Sequence, residues 1–163
     1  MNDSAWYLLF VFSQMQLAEF FIWSGYNKFG SILGLISLVL QPIAAIYIVK
    51  NTKIRNMLLI AYIVFWIIGR TFFNKNIEYK SSVAKNCHLK WHFISNSIIY
   101  VLIWCLIIFI ALFISKRYDV LLFAILTLLF SMYNGYKYES YGSLWCSIVV
   151  LAWLFLVHKK LYT

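Results

Sequence analysis

Phe93–Ser115, FISNSIIYVLIWCLIIFIALFIS, is the stretch on which the fold turns, because it contains no Asp, Glu, Lys or Arg. A helix rises about 1.5 Å per residue, so about 20 apolar residues cross the roughly 30 Å hydrocarbon layer of a bilayer. The run meets that length and lacks the apolar–polar alternation of a barrel strand. Five further segments read the same way: Ala5–Tyr26, Phe29–Val49, Ile54–Phe73, Tyr118–Gly135 and Gly142–Val157. The expectation is an all-α, polytopic transmembrane helix bundle of about six spans, with residues 1–163 forming one integral membrane domain.

Composition agrees with that reading. The chain has 163 residues, of which 64% are hydrophobic and 12% charged, and its mean hydropathy is +0.82. A soluble domain is roughly 45–50% apolar and about 25% charged. In water, this chain would expose more apolar surface than a monomer tolerates. The formal charge is +9, but the basic residues sit in short, separate clusters at the ends of apolar runs. That placement suits lipid headgroups and excludes the basic stripe of a nucleic-acid-binding face. The expected partners are the lipid bilayer and, through packing motifs, a second copy or other membrane proteins; nucleic acid is not expected.

Six spans place both termini on one side, here side A. The turns with Lys50, Lys53, Arg55, Lys116 and Arg117 and the tail with Lys159 and Lys160 share that side. Side B holds Lys28, Arg70, Lys75, Lys80, Lys85, Lys90 and Lys137. The basic residues divide evenly, so the positive-inside count does not set orientation. The tight packing of charge into very short turns favours side A as cytoplasmic.

Glu19 is the residue most out of place. It lies about 10 Å inside the first span from side B, where a charged side chain costs roughly 2.5–3.5 kcal/mol on insertion scales. Gln16 and Trp23, at i−3 and i+4, share its helix face, and Asn27 extends that face to the membrane surface. One reading is a binding site for a proton, an ion or a substrate; the other is a buried acid that fixes helix packing. Arg70 arrives near side B on the third span and is the expected partner, since pairing lowers the cost of burying either group. Alternatively, Arg70 snorkels to the headgroups. Gln41-Pro42 falls near mid-depth in the second span, where Pro removes a backbone donor and frees a carbonyl. Broken helices at that depth often mark transporter sites. Gly30, Gly34 and Ser37 form a small-residue ridge suited to close helix packing.

The longest connection, Asn74 to His92, ends in Cys87-His88-Leu89-Lys90-Trp91-His92. On a helix, His88 and His92 would face one way, but the four ligands of a structural zinc site are not evident. The plainer reading is an interfacial turn with Trp at headgroup depth, and no metal is expected. Cys146 begins the sixth span on the same side as Cys87, so a disulfide forms if side B faces an oxidising compartment. Cys105 lies mid-span as a small packing residue. Tyr26-Asn27-Lys28-Phe29-Gly30-Ser31-Ile32 and Tyr138-Glu139-Ser140-Tyr141-Gly142-Ser143-Leu144 echo each other at two side-B turns. An ancient repeat or chance among many aromatic residues explains the echo. No phosphate-cradling loop, zinc-protease motif or nucleophile elbow occurs, and no cofactor or catalytic residue is expected.

The pieces Gln16-Leu17-Ala18-Glu19-Phe20-Phe21-Ile22-Trp23, Gln41-Pro42 and Gly142-Ser143-Leu144-Trp145-Cys146 resemble uncharacterised multi-pass membrane proteins of large DNA viruses, the mimivirus relatives. The resemblance covers about a third of the chain and implies a viral or host internal membrane, with no activity to carry over. Three functions are compatible with these residues. They are a non-enzymatic membrane or assembly component, a small channel or transporter using Glu19, and a membrane-embedded lipid enzyme.

Overall fold

The computed structural model describes residues 4–73, 78–93 and 97–150. Six α-helices are described: α1 Ser4–Trp23, α2 Asn27–Tyr47, α3 Thr52–Ile68, α4 Ile98–Ile114, α5 Tyr118–Gly135 and α6 Tyr141–Val150. α3 runs on into a π-helical turn, Gly69–Phe73, and α5 into a 3-10 turn, Tyr136–Tyr138. The all-α expectation holds, with one correction. The connection between α3 and α4 contains an antiparallel hairpin of β1, Ser81–Val83, and β2, Leu89–Trp91, with Ser82 opposite Lys90. The fourth helix accordingly begins at Ile98 instead of Phe93, which belongs to the hairpin arm. Residues 151–157 of the sixth expected segment lie outside the described residues.

Among the described residues, two helices are long and apolar enough to cross a membrane by length and composition, Asn27–Tyr47 and Tyr118–Tyr138; Ile98–Ile114 and Tyr141–Val150 are apolar but shorter. One buried apolar cluster draws on every helix and on the hairpin, from Phe12 and Leu38 to Tyr62, Trp91, Trp104, Leu128 and Trp145.

Helix ends follow from local chemistry. At the end of α1, Tyr26 N–H reaches Phe21 O at 2.9 Å and Gly25 N–H reaches Ile22 O at 3.1 Å. This is the Schellman pattern, in which the residue after the helix turns left-handed; Gly25 supplies φ +89° there without steric cost. The same pair of bonds closes α4, from Arg117 N–H to Leu112 O and Lys116 N–H to Phe113 O, and closes the α5 extension, from Ser140 N–H to Gly135 O and Glu139 N–H to Tyr136 O. In those two turns the left-handed residue is not glycine: Lys116 has φ 56° and Glu139 φ 54°. α3 starts with Asn51, whose side chain accepts from Ile54 N–H at 3.1 Å, satisfying one orphan donor of the first turn.

α1 and α2 pack as the tightest pair. α1 buries Leu8, Phe12, Met15, Ala18, Glu19 and Ile22, one face at helical spacing. α2 answers with Gly30, Ser31, Gly34 and Ser37. A Cβ on Gly30 would meet Ala18 O at 2.6 Å, so the small-residue ridge does bring two backbones together. Pro42 has no N–H for Leu38 O, its i−4 carbonyl. Trp104 of α4 donates its indole N–H to that carbonyl at 3.2 Å. Tyr62 of α3 donates its hydroxyl to the neighbouring Val39 O at 2.8 Å. Pro42 thus frees Leu38 O for Trp104, and the neighbouring Tyr62 bond adds a second aromatic tie, so α4 and α3 are both fastened to α2. α6 closes the bundle: Trp145 meets Phe12 of α1 and Trp104 of α4 edge-on and donates to Thr127 of α5 at 3.0 Å.

Candidate functional site

The hairpin is the element that builds the end of the molecule at which the α1–α2 and α5–α6 turns lie. Its strand alternation turns Leu89, Trp91 and Phe93 inward, all buried, and leaves His88, Lys90 and His92 on the opposite, wetter face. A β-hairpin alone is marginal, and here two helix turns hold it. On one edge the Asn27 side chain acts as a strand would. Its amide donates to Ser81 O at 2.8 Å and accepts from Ser81 N–H at 2.7 Å, and Ser31 Oγ lies 3.3 Å from both Asn27 Oδ1 and Ser81 Oγ. On the other edge Asn86 and Ser140 exchange hydrogen bonds at 2.8 and 3.0 Å. Leu89 N–H donates to Ser143 Oγ at 3.3 Å, and Lys90 pairs with Glu139 at 2.6 Å. Two glycines receive the aromatic side chains. A Cβ on Gly34 would stand 2.8 Å from the Phe93 ring, and one on Gly142 would stand 2.7 Å from the Trp91 ring. Trp91 and Phe93 stack on each other with centroids 5.6 Å apart.

Glu19 lies beneath this plug, 7% exposed. The Ser143 hydroxyl and the Trp91 indole are the polar groups turned toward its carboxyl. Even so, among the described residues no hydrogen-bond partner reaches Glu19 Oε1 or Trp91 Nε1. Ser143 places α6 against Glu19. The expected partner Arg70 sits in the π-helical turn, and its side chain lies outside the described residues. Gln16 is half-buried and Gln41 fully buried, and among the described residues Gln16 Nε2 and both Gln41 amide atoms meet no partner. Trp23 departs from expectation. It is the last residue of α1 and is 53% exposed, where Glu19 one turn earlier is buried.

The other expected sites also resolve. Cys87 is exposed at the hairpin turn, Cys105 and Cys146 are buried, and all three are free thiols; the fold does not join Cys87 to Cys146. His88 and His92 share a face as a strand arranges them, with His92 Nε2 2.9 Å from Ser82 Oγ. No cluster of three or more His, Cys, Asp or Glu suited to a metal ion occurs among the described residues.

Sequence reasoning missed Ser143 and Trp91 as neighbours of Glu19. Two signals pointed to them. The Leu-Lys-Trp-His-Phe alternation at residues 89–93 has the period of a strand. The echo between residues 26–32 and 138–144 marks the two turns that grip the hairpin, with Ser31 and Ser143 in matching places. No protein-family model, curated protein or solved structure matches the chain.

Proposed function

We propose that this chain is a six-span integral membrane protein acting as a non-enzymatic membrane or assembly component, its bundle closed on side B by the hairpin. The observation that carries the reading is the outward apolar surface. Met57, Ile60, Ile63 and Ile67 on α3, and Ile99, Leu102, Leu106 and Phe113 on α4, are exposed together. In water such a surface drives association, whereas in lipid it is matched by acyl chains. The seventeen residues of α3 and of α4 span about 26 Å each, which a bilayer accommodates by modest local thinning. The inward Trp91 and Phe93 support a packed interior over a continuous water path. The placement in a viral or host internal membrane rests only on the scattered sequence resemblance.

A second reading, a proton or cation path, is favoured by one observation: a buried Glu19 with a carboxyl oxygen that meets no hydrogen-bond partner among the described residues. Reconstitution into liposomes separates the two. A component without transport activity gives no proton or cation flux, and Glu19→Gln folds and melts as the parent does. Flux in the parent that Glu19→Gln abolishes, with melting unchanged, replaces the first reading by the second.

A further inference from the structure

α1 is twenty residues long, and Ser13 and Gln14 are its middle pair, about 15 Å from either end. Both are half-exposed, between the exposed Phe10 and Leu17. Among the described residues, α2, α3, α4 and α5 expose only apolar side chains through their middle turns. Asn134 lies at the end of α5, and Gln41 of α2 is buried. Gln14 is thus the carboxamide that looks outward at mid-helix. An acyl chain offers neither donor nor acceptor, so such a group facing lipid keeps its polar atoms unmatched. Gln14 Nε2 does reach back to Phe10 O, at 3.3 Å. That exceeds the usual range of about 2.7–3.2 Å for an N–H···O bond, and Ser13 Oγ already holds the same carbonyl at 2.7 Å. Among the described residues the Gln14 side chain makes no other bond. One N–H and Oε1 remain for a group outside the chain.

Insertion gives every copy of a membrane protein the same sidedness. Two copies that pair therefore do so about a two-fold axis along the membrane normal, and each residue at the axis meets its own counterpart at the same depth. A group that both donates and accepts can pair with itself there, and a carboxamide does both. The flanking residues suit such a pair. Phe10, Ser13, Leu17 and Phe20 follow at the three- and four-residue steps of a helix–helix seam. Ser13 is the small member at its centre, where two backbones can approach. We propose that this face of α1 is a homodimer interface, with the two Gln14 carboxamides exchanging hydrogen bonds across the axis beside Ser13. This inference rests on the membrane reading above, which sets the middle of α1 at mid-depth.

The test uses the full chain in phosphatidylcholine liposomes at several protein-to-lipid ratios. Cys87 is exposed while Cys105 and Cys146 are buried, so it takes a donor or an acceptor dye, and energy transfer between separately labelled copies reads association. The parent is expected to associate. Gln14→Leu is expected to raise the dissociation constant roughly tenfold, the scale of an interhelical hydrogen-bonded pair, and Gln14→Asn, which keeps the carboxamide, to raise it less. Cross-linking locates the face without changing Gln14. In a Cys87→Ser, Cys105→Ser, Cys146→Ser background, Leu17→Cys is expected to form an intermolecular disulfide under an added copper oxidant roughly tenfold faster than Leu126→Cys, an exposed position at the middle of α5. A parent that stays monomeric at every ratio, association unchanged in Gln14→Leu, or equal cross-linking at the two positions overturns the proposal. Cross-linking of Leu17→Cys in native membranes to a different polypeptide, and not to itself, overturns a second copy as the occupant. Release of the protein from native membranes by alkaline carbonate overturns the membrane reading itself, a result distinct from a monomer that stays embedded.

Discussion

Removing the Asn27 amide should unseat the hairpin and expose what lies under it. Asn27 holds both backbone groups of Ser81, at 2.7 and 2.8 Å, in a part-buried position. Each intramolecular hydrogen bond of this kind contributes about 1 kcal/mol net. Asn27→Ala therefore costs the hairpin about 2 kcal/mol of anchorage, roughly thirtyfold in its opening equilibrium. The strands are three residues each, too short to stay docked by their own pairing, so the remaining hold comes from the other edge, through Asn86–Ser140, Leu89–Ser143 and Lys90–Glu139, and from the buried Trp91 and Phe93. Cys146 reports on the opening: it is 2% exposed and lines a cleft together with Leu89 and Trp91. In a Cys87→Ser, Cys105→Ser background, maleimide labelling of Cys146 should run roughly thirtyfold faster in Asn27→Ala, provided reclosing outpaces modification. Asn134→Ala is the control. Asn134 is also a helix asparagine bonded to a backbone carbonyl, Phe130 O at 2.8 Å, but it is exposed and its bond stays within its own helix. Equal labelling in the parent and in Asn27→Ala would falsify the hairpin as a cover held by this amide.

The Pro42 site predicts a coupling. Trp104→Phe should cost about 1–3 kcal/mol by leaving Leu38 O without its donor. In a Pro42→Ala background the backbone regains an N–H that serves the same carbonyl, so the hydrogen-bond part of the cost should vanish; additive melting shifts in the double variant would count against this pairing. Lys116→Gly should raise stability by about 1 kcal/mol, since a lysine at φ 56° occupies a turn that favours glycine; a lower melting temperature would mean that the lysine side chain contributes more than the strain it bears. Phe93→Ala should lower stability by about 3–5 kcal/mol, because a fully buried ring seated against Gly34 leaves a cavity, and a change under about 1 kcal/mol would show that this seat carries little of the fold. Tags at the two termini should be reached from the same side of the membrane, and labelling from opposite sides would remove the six-span reading.

The helices were legible in the sequence because the apolar runs are long, nearly uncharged and cut by short polar turns. Tyr118–Gly135 emerges with its expected bounds, and α1, α2 and α3 within a few residues of theirs. Glu19 was legible for the same reason, since one carboxylate in such a run has no surface to reach along its own helix. Composition alone set this chain apart from the average soluble domain, with 64% hydrophobic and 12% charged residues. What faces Glu19 was not legible. Helix rotation and neighbour choice depend on which surfaces pack, and here the Gly30–Ser37 ridge sets α1 against α2 while Trp145 draws in α6, leaving α3 at the edge with only Leu58 and Tyr62 buried. Nor could the partners of the Pro42 region be read from local pattern, because the Trp104 donor lies 66 positions from Leu38. The hairpin left a trace in the alternation at residues 89–93, too short to outweigh the long helical runs around it. Its strands exist because Asn27 and Ser140, each 54 positions from its partner, give an isolated ribbon the edges that a larger sheet would have supplied.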